Sequence, residues 1–175
     1  MFENLYRLIR FDWPLHIVLS CFNWLPDNVI FIRLRGRFAG LFLKNCGQRL
    51  GIGRDVTIYN PSKVEIGSDV YIAKGCWISA ADKIIIKDEV QFGPYVCIVS
   101  ANHTLSDGSY RFGAPITAPI TIGKGSWIGA HSTILMGVEL GRATLIAANS
   151  VVNKSTEEFS INGGVPCRLI KHRYE

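Results

Sequence analysis

The sequence is short of the features that announce a disulfide framework, a zinc knuckle or a membrane span. Its five cysteines, Cys21, Cys46, Cys76, Cys97 and Cys167, are odd in number and form no CxxC pair, so neither cross-linking nor a zinc knuckle fits. A reducing compartment is expected. Only 19% of the 175 residues are charged against 48% hydrophobic, which excludes a solvated tail or a coiled coil. No run reaches the roughly 18 to 20 apolar residues that cross a bilayer, because Pro26 and Asp27 divide the best candidate. Glu3, Asp12 and Pro14 interrupt any signal-peptide pattern, and a cytoplasmic location is expected. Acids paired with His or Cys are also lacking, so no metal site is expected.

What is present is unevenly distributed. Residues 1–50 hold seven bases and three acids, whereas residues 51–175 hold twelve and eleven. An anionic partner attracted over distance should therefore meet the N-terminal part first. The near-neutral longer part has no basic, aromatic stripe and speaks against nucleic acid. Residues 1–49 read as helical. Asp12-Trp13-Pro14 is expected to cap a helix running to Trp24, and Asp27 a second running to about Lys44. The second combines Ile30, Phe31, Leu34, Phe38 and Leu41 with Arg33, Arg35 and Arg37. Two compatible readings stand. The helices cover an open end of the domain that follows, or residues 1–45 rest as a basic amphipathic surface on the cytoplasmic face of a membrane.

From residue 66 onward branched aliphatics recur every six residues. The series are Ile66, Ile72, Ile78 and Ile84; Ile86, Phe92 and Ile98; and Ile122, Ile128, Ile134, Leu140, Ile146 and Val152. Six fits no helix but is a multiple of two, so short strands separated by turns place every sixth side chain on the same side. Gly follows the aliphatic at Gly67, Gly93, Gly123, Gly129 and Gly141, where a corner needs unusual backbone angles or close approach. Four residues after the aliphatic sits a small or branched residue, such as Val70, Cys76, Ser126, Ser132 and Thr144, which is expected to fill the space beneath the corner. The step from Ile84 to Ile86 is expected to lengthen one coil by two residues. Between His103 and Pro119 the hexads stop, and Ser106-Asp107-Gly108-Ser109 with two prolines reads as a projecting loop.

These hexads resemble the hexapeptide repeat of the left-handed β-helix acyltransferases over roughly residues 50–171, leaving a tail at 172–175. The resemblance implies a mainly β chain in which three hexads make a triangular coil and stacked coils form a prism. The left hand is a property of the family, contrary to the usual crossover rule. In this family a His beside such a loop is the general base, which falls here on His103. An imidazole titrating near 6.5 can take the proton of a hydroxyl as it attacks a thioester, and no acyl-enzyme is then needed. A structural His bonded to a loop carbonyl is the competing role.

Pro119 to Ala130, with its Trp127-Ile128-Gly129 step, looks like the segment found after the loop in the galactoside and maltose acetyltransferase branch. That likeness implies that Trp127 flanks the donor pocket, and that backbone groups at Ala130 and Ala148 meet the pantetheine arm or the thioester oxygen. A purely structural Trp127 is the alternative. Gly163-Gly164-Val165-Pro166-Cys167-Arg168-Leu169-Ile170-Lys171 resembles the closing motif. By that resemblance Arg168 and Lys171 hold the phosphates of coenzyme A, and Asn153 and Lys154 lie at its adenine end. Solvated surface groups are the alternative for all four. His131 is expected on the groove rim, and Cys167 as a small buried residue.

The branch carries Asn and Asp side chains for a free sugar where this chain has Ala73, Ala80 and Ala81. Combined with the basic, apolar N-terminus, this resembles the acetyltransferases of O-antigen, capsule or exopolysaccharide assembly, whose acceptors are often lipid-linked or nucleotide-linked sugars. The expected protein is an acetyl-CoA-dependent sugar O-acetyltransferase without metal, a homotrimer with active sites between subunits. An N-acyltransferase on an amino-sugar nucleotide and a non-enzymatic scaffold are the alternatives. The carbonic anhydrase form needs three zinc-binding His, and the repeat region offers only His103 and His131.

Overall fold

The structure, a computed structural model, describes residues 2–173; residues 174–175 of the expected tail lie outside the described residues. Each hexad forms a strand of two or three residues and a tight corner, and strands one coil apart pair in parallel to build three walls. The first wall stacks Asn45–Cys46, Val64–Ile66, Ile84–Ile86, Ile120–Ile122 and Glu139–Leu140. The second stacks Gly51–Ile52, Tyr71–Ile72, Gln91–Phe92, Trp127–Ile128, Leu145–Ile146 and Ser160–Gly163, with Arg168–His172 added antiparallel at its edge. The third stacks Thr57–Tyr59, Trp77–Ser79, Cys97–Val99, Thr133–Ile134 and Val151–Val152. The chain visits them in that order on every circuit.

Every member of the sixfold series is buried, and so are the small or branched residues four places later, Val70, Cys76, Val90, Val96, Ser126, Ser132, Val138, Thr144 and Ser150. The column begins earlier than the sequence suggested, with Cys46, Ile52 and Ile58 on the first coil. Two coils are lengthened, and not one. Cys46 pairs with Ile66 and Ile66 with Ile86, steps of twenty, whereas Ile122 pairs with Leu140, a step of eighteen. The extra pair of residues sits in the first wall, where Val64 and Ile66 both point inward just as Ile84 and Ile86 do.

The glycines after the aliphatics are required by close approach. A Cβ on Gly129 would stand 2.5 Å from the Ala148 nitrogen on the next coil. The left-handed backbone angle falls two residues further on, and ordinary residues carry it, at Asp69, Tyr95 and His131 with φ of 60°, 58° and 58°.

At the N-terminus, α1 (Phe2–Arg7), a π turn (Leu8–Asp12) and α2 (Trp13–Phe22) follow one another without a break. Asp12 is therefore not a cap. Its backbone is helical and its carboxylate pairs with Arg7 at 3.4 Å. The wide turn accommodates Pro14, which has no N–H to give, because the Trp13 N–H reaches back five residues to Leu8 O. Helix α3 (Val29–Gly40) is capped by Asn28, which accepts the Phe31 N–H at 3.0 Å, and it ends short of Lys44. Asp27 is used otherwise. It accepts from Arg35 Nη1 and from the Arg54 N–H, both at 3.0 Å. Arg35, expected on a surface, is fully buried and also donates to the carbonyls of Ile52, Phe22 and Leu25. With Leu15, Leu19, Ala39 and Leu43 in the same core as the aliphatic column, the helices close the first coil. None of the described helices is long and apolar enough to cross a membrane.

Gly129→Ala should lower stability by about 1 to 3 kcal/mol in a urea titration, because the clash outweighs the smaller gain from restricting the unfolded chain. Asp27→Ala should cost about 3 to 5 kcal/mol by leaving the Arg35 charge buried without its partner. Wild-type midpoints in either case would contradict the packing described.

Candidate active site

The break after Val99 is an arm braced at its root. Ser100 is buried, accepts the Asp82 N–H at 2.8 Å, and its own carbonyl takes the Ala118 N–H at 3.2 Å. Thr117 Oγ1 reaches Asp82 Oδ2 at 3.3 Å. From this root Ala101–His103 pairs antiparallel with Pro115–Thr117, so residues 104–114 form the tip. His103 lies opposite Pro115, its N–H bonds Asn102 Oδ1 at 2.8 Å, and its side chain is exposed. Among the described residues no group holds the imidazole ring, so a structural role bonded to a loop carbonyl is not what the fold provides. The arm leaves the prism where the third wall turns into the first.

A second group occupies the next edge, between the second and third walls. Ala130 and Ala148 sit there on successive coils, with the Asn149 N–H bonded to Ala130 O at 2.9 Å. The Gly129 and His131 N–H groups are engaged by Ile146 O and Pro94 O. Among the described residues, the N–H groups of Ala130 and Ala148 are not. With only methyl side chains, the two alanines leave this edge open. Trp127, 54% exposed, stands outward on the second wall just before the corner. His131 stacks on Tyr95 with ring centroids 5.1 Å apart, which fixes it on the rim of the edge.

A third group closes the far end. Asn153 and Lys154 follow the last strand of the third wall and are exposed. Lys154 and Arg168 line one cleft of about 190 Å³, floored by Cys167 and Asn162. Arg168 Nη1 donates to Cys167 O at 2.8 Å. Lys171 lies outside this cleft, opposite Ile161 on the closing hairpin. The fold thus joins Trp127, Ala130 and Ala148, and separately Lys154 with Arg168. It does not bring His103 to either group within one chain, because the breadth of the third wall lies between His103 and the alanines.

Burial raises the thiols of Cys46, Cys97 and Cys167, and pushes Cys76 up to about 11, so these four stay protonated and weakly nucleophilic near neutrality. Of the alanines at the positions expected to lack acceptor side chains, Ala73 and Ala80 are buried. A groove that the sequence reading missed runs between α2 and the third wall, about 520 Å³, lined by His16, Tyr59, Asn60 and Trp77. The Tyr59 and Trp77 rings lie 4.9 Å apart and are half exposed. Both flank inward residues, Ile58 and Ile78, and counting Ile58 into the ladder would have placed them outward on one wall. Among the described residues no three His, Cys, Asp or Glu are grouped as a metal site would need.

Comparison with known proteins agrees with this architecture. A family model described as the hexapeptide repeat of succinyl-transferase matches residues 119–154. A putative acetyltransferase of Saccharomyces cerevisiae is 34% identical over 63% of this chain and 56% of its own length. The galactoside O-acetyltransferase of Escherichia coli is 29% identical over 69% of this chain and 62% of its own. The chain thus spans a little over half the length of these curated relatives. A solved galactoside acetyltransferase in complex with coenzyme A superposes with a TM-score of 0.80 at 27% identity, over 90% of this chain and 78% of that one. With its sixfold aliphatic ladder, its three-walled coil and this match along nearly its whole length, the chain has the left-handed β-helix fold of the hexapeptide-repeat acetyltransferases, and it carries that repeat at residues 119–154.

Proposed function

We propose that the protein is an acetyl-CoA-dependent O-acetyltransferase that acetylates a sugar hydroxyl in the assembly of a bacterial surface polysaccharide. The observation that carries this reading is His103, an exposed imidazole without a partner among the described residues, on a braced arm at an edge of a rigid prism. The galactoside O-acetyltransferase relative and the coenzyme A complex support the donor. The residues present suit it. The Ala130 and Ala148 edge offers free N–H groups beside small side chains, Trp127 gives a flat apolar flank, and Lys154 and Arg168 outnumber Glu157 in a cleft that can take phosphates. Asn153 and Lys171 complete the donor contacts at its adenine and phosphate ends. Bound acetyl-CoA would supply a thioester carbonyl as electrophile.

His103 accepts the proton of the acceptor hydroxyl as that oxygen attacks, and it holds the proton until the leaving thiolate takes it. The N–H groups near Ala130 face the carbonyl oxygen as negative charge builds on it, an orientation set by the coil before reaction begins. Raised thiols support direct transfer without a cysteine nucleophile. Because His103 and the donor edge are divided by the third wall, a complete site needs a second copy, and a homotrimer with each site between neighbours satisfies this. The acceptor is a lipid-linked or nucleotide-linked sugar, and the groove with Tyr59 and Trp77 offers ring faces for it. The enzyme works in the cytoplasm, with residues 1–45 resting on the inner face of the membrane. N-acylation of an amino-sugar nucleotide uses the same base and donor edge. Mild alkali separates the two, since it cleaves an ester product and spares an amide.

His103→Ala should lower turnover of acetyl-CoA with the sugar acceptor by about two to four orders of magnitude while coenzyme A still binds. Unchanged turnover would remove the imidazole from the mechanism. Light scattering should give three times the 19.5 kDa chain mass. Co-refolding inactive His103→Ala with inactive Ala130→Leu should restore about a quarter of the wild-type activity by random mixing. No recovery would mean that each site lies within one chain.

A further inference from the structure

The outer face of the N-terminal helices carries two features that closing the prism does not require. The first is a stripe of exposed apolar side chains. Leu5, Ile9, Trp13 and Ile17 recur four residues apart through α1, the π turn and α2, and Trp24 follows; they are 48 to 79% exposed. The opposite face of the same helix already packs Leu15 and Leu19 into the core. A helix apolar on both faces needs a second apolar environment.

The second feature is a cleft of about 650 Å³ between α3 and the first corner of the prism, lined by Arg33, Arg37, Arg49 and Leu41 with no carboxylate among its lining residues. Arg49 is paired outside it with Asp69, and Arg33 donates through Nη1 to Arg49 O and helps hold the Asp69 carboxyl below its usual range, which leaves Arg37 and the outer donors of Arg33 for a ligand. Arg33 and Arg37 are exposed, whereas Arg35 of the same helix is buried against Asp27. The stripe and the cleft form one surface. Arg10, one residue after Ile9, donates to Leu41 O at 3.1 Å and lies over the Phe42 ring at 5.9 Å.

We infer that this surface docks on a bilayer containing anionic lipid, with the Leu5 to Trp24 stripe seated among the headgroups and acyl boundary and the Arg33 and Arg37 guanidiniums bonding lipid phosphates. The inference rests on the reading that residues 1–45 contact a membrane, and it adds the residues and the headgroup chemistry. Charge complementarity selects the occupant. A second copy of this chain would bring the same exposed arginines face to face, whereas a sheet of phosphodiesters meets them with opposite charge. Trp at an apolar and polar boundary suits an interface better than a dry protein contact. In a trimer with parallel prisms the three surfaces share one end, so weak contacts add.

The test is sedimentation of the full-length protein with vesicles of phosphatidylcholine alone or with about 30% phosphatidylglycerol. Binding to the anionic vesicles only is expected, and it should weaken as salt rises. Arg33→Gln with Arg37→Gln should weaken it by about thirtyfold, at about 1 kcal/mol per arginine. Ile9→Ser with Ile17→Ser should weaken it on the same vesicles. Circular dichroism melts confirm that both double variants fold, and turnover on a soluble acceptor should be unchanged in both. Equal binding to neutral vesicles, or to anionic vesicles after loss of both arginines, overturns the phosphate site while leaving membrane contact standing. A melting shift with inorganic phosphate but no vesicle binding would assign the cleft to a free anion and overturn the docking surface. Failure to bind either vesicle overturns the inference and the membrane reading together, and the acetyl-transfer reading is untouched because it is assayed separately.

Discussion

Backbone laid directly on backbone at the corners of the prism is the constraint on which the rest of the molecule depends. A coil stacks on the next at strand spacing, about 4.8 Å, so the first corner residue has no room for a side chain that points along the axis. At Gly67, Gly93, Gly129 and Gly141 an added Cβ would come within 2.5 to 2.6 Å of a neighbouring backbone or carboxylate atom. The residue beneath the corner must then be small, and its chemistry changes along the prism. Early coils use Val70, Cys76, Val90 and Val96; later ones use Ser126, Ser132, Thr144 and Ser150. The hydroxyls are stable there because they bond between coils. Ser132 Oγ donates to Ala147 O at 2.9 Å and accepts the Ser150 N–H at 3.3 Å. A buried hydroxyl so paired adds a rung where valine only fills space.

A solenoid tied in this way has little freedom inside a coil, so chemistry must be placed where the repeat is interrupted or where it ends. The arm bearing His103 is an interruption, and its root shows how a rigid frame holds a functional residue. Ser100 keeps the corner position under the arm, and Asp82 and Thr117 tie the two strands to the coil beneath. The proposed donor contacts use corners that are free of bulk, at Ala130 and Ala148. Because arm and corners stand on different edges of a triangle, one chain cannot join them, and adjacent prisms can. In the proposed mechanism assembly is then a consequence of geometry.

Much of this was legible in the sequence because inward positions of a sixfold repeat have only one neighbourhood, the aliphatic column. Ile122 to Val152 could be placed without any structure. The first coil was missed because Cys46 and Gly51-Ile52 look unlike later hexads, and with it went the outward position of Tyr59. The helices were less legible. Asp12 before Trp13-Pro14 has the form of a cap, but the π turn lets the helix run through it. Asp27 has the form of a cap as well, yet a buried Arg35 competes for its carboxylate and Asn28 takes the cap. Nothing local in Arg33-Leu34-Arg35-Gly36-Arg37 says which arginine turns inward. That is decided by Gly36, where a Cβ would stand 2.0 Å from Leu50 O, so α3 lies tight against the first coil and carries Arg35 in with it.

The same contact determines how the molecule stands on a surface. Arg35 welds α3 to Ile52 of the first coil, and Arg33 and Arg37, one turn apart on the same helix, face out. The orientation of the prism relative to whatever meets those two arginines is therefore rigid. His103 leaves the third coil, and at about 4.8 Å per coil it stands about 10 Å from the capped coil along the axis. The proposed anchored acceptor would also suit the alanines Ala73, Ala80 and Ala81. An acceptor presented at a fixed height by its own anchor needs fewer contacts to its ring than one captured from solution, because the anchor has already removed most of its translational freedom.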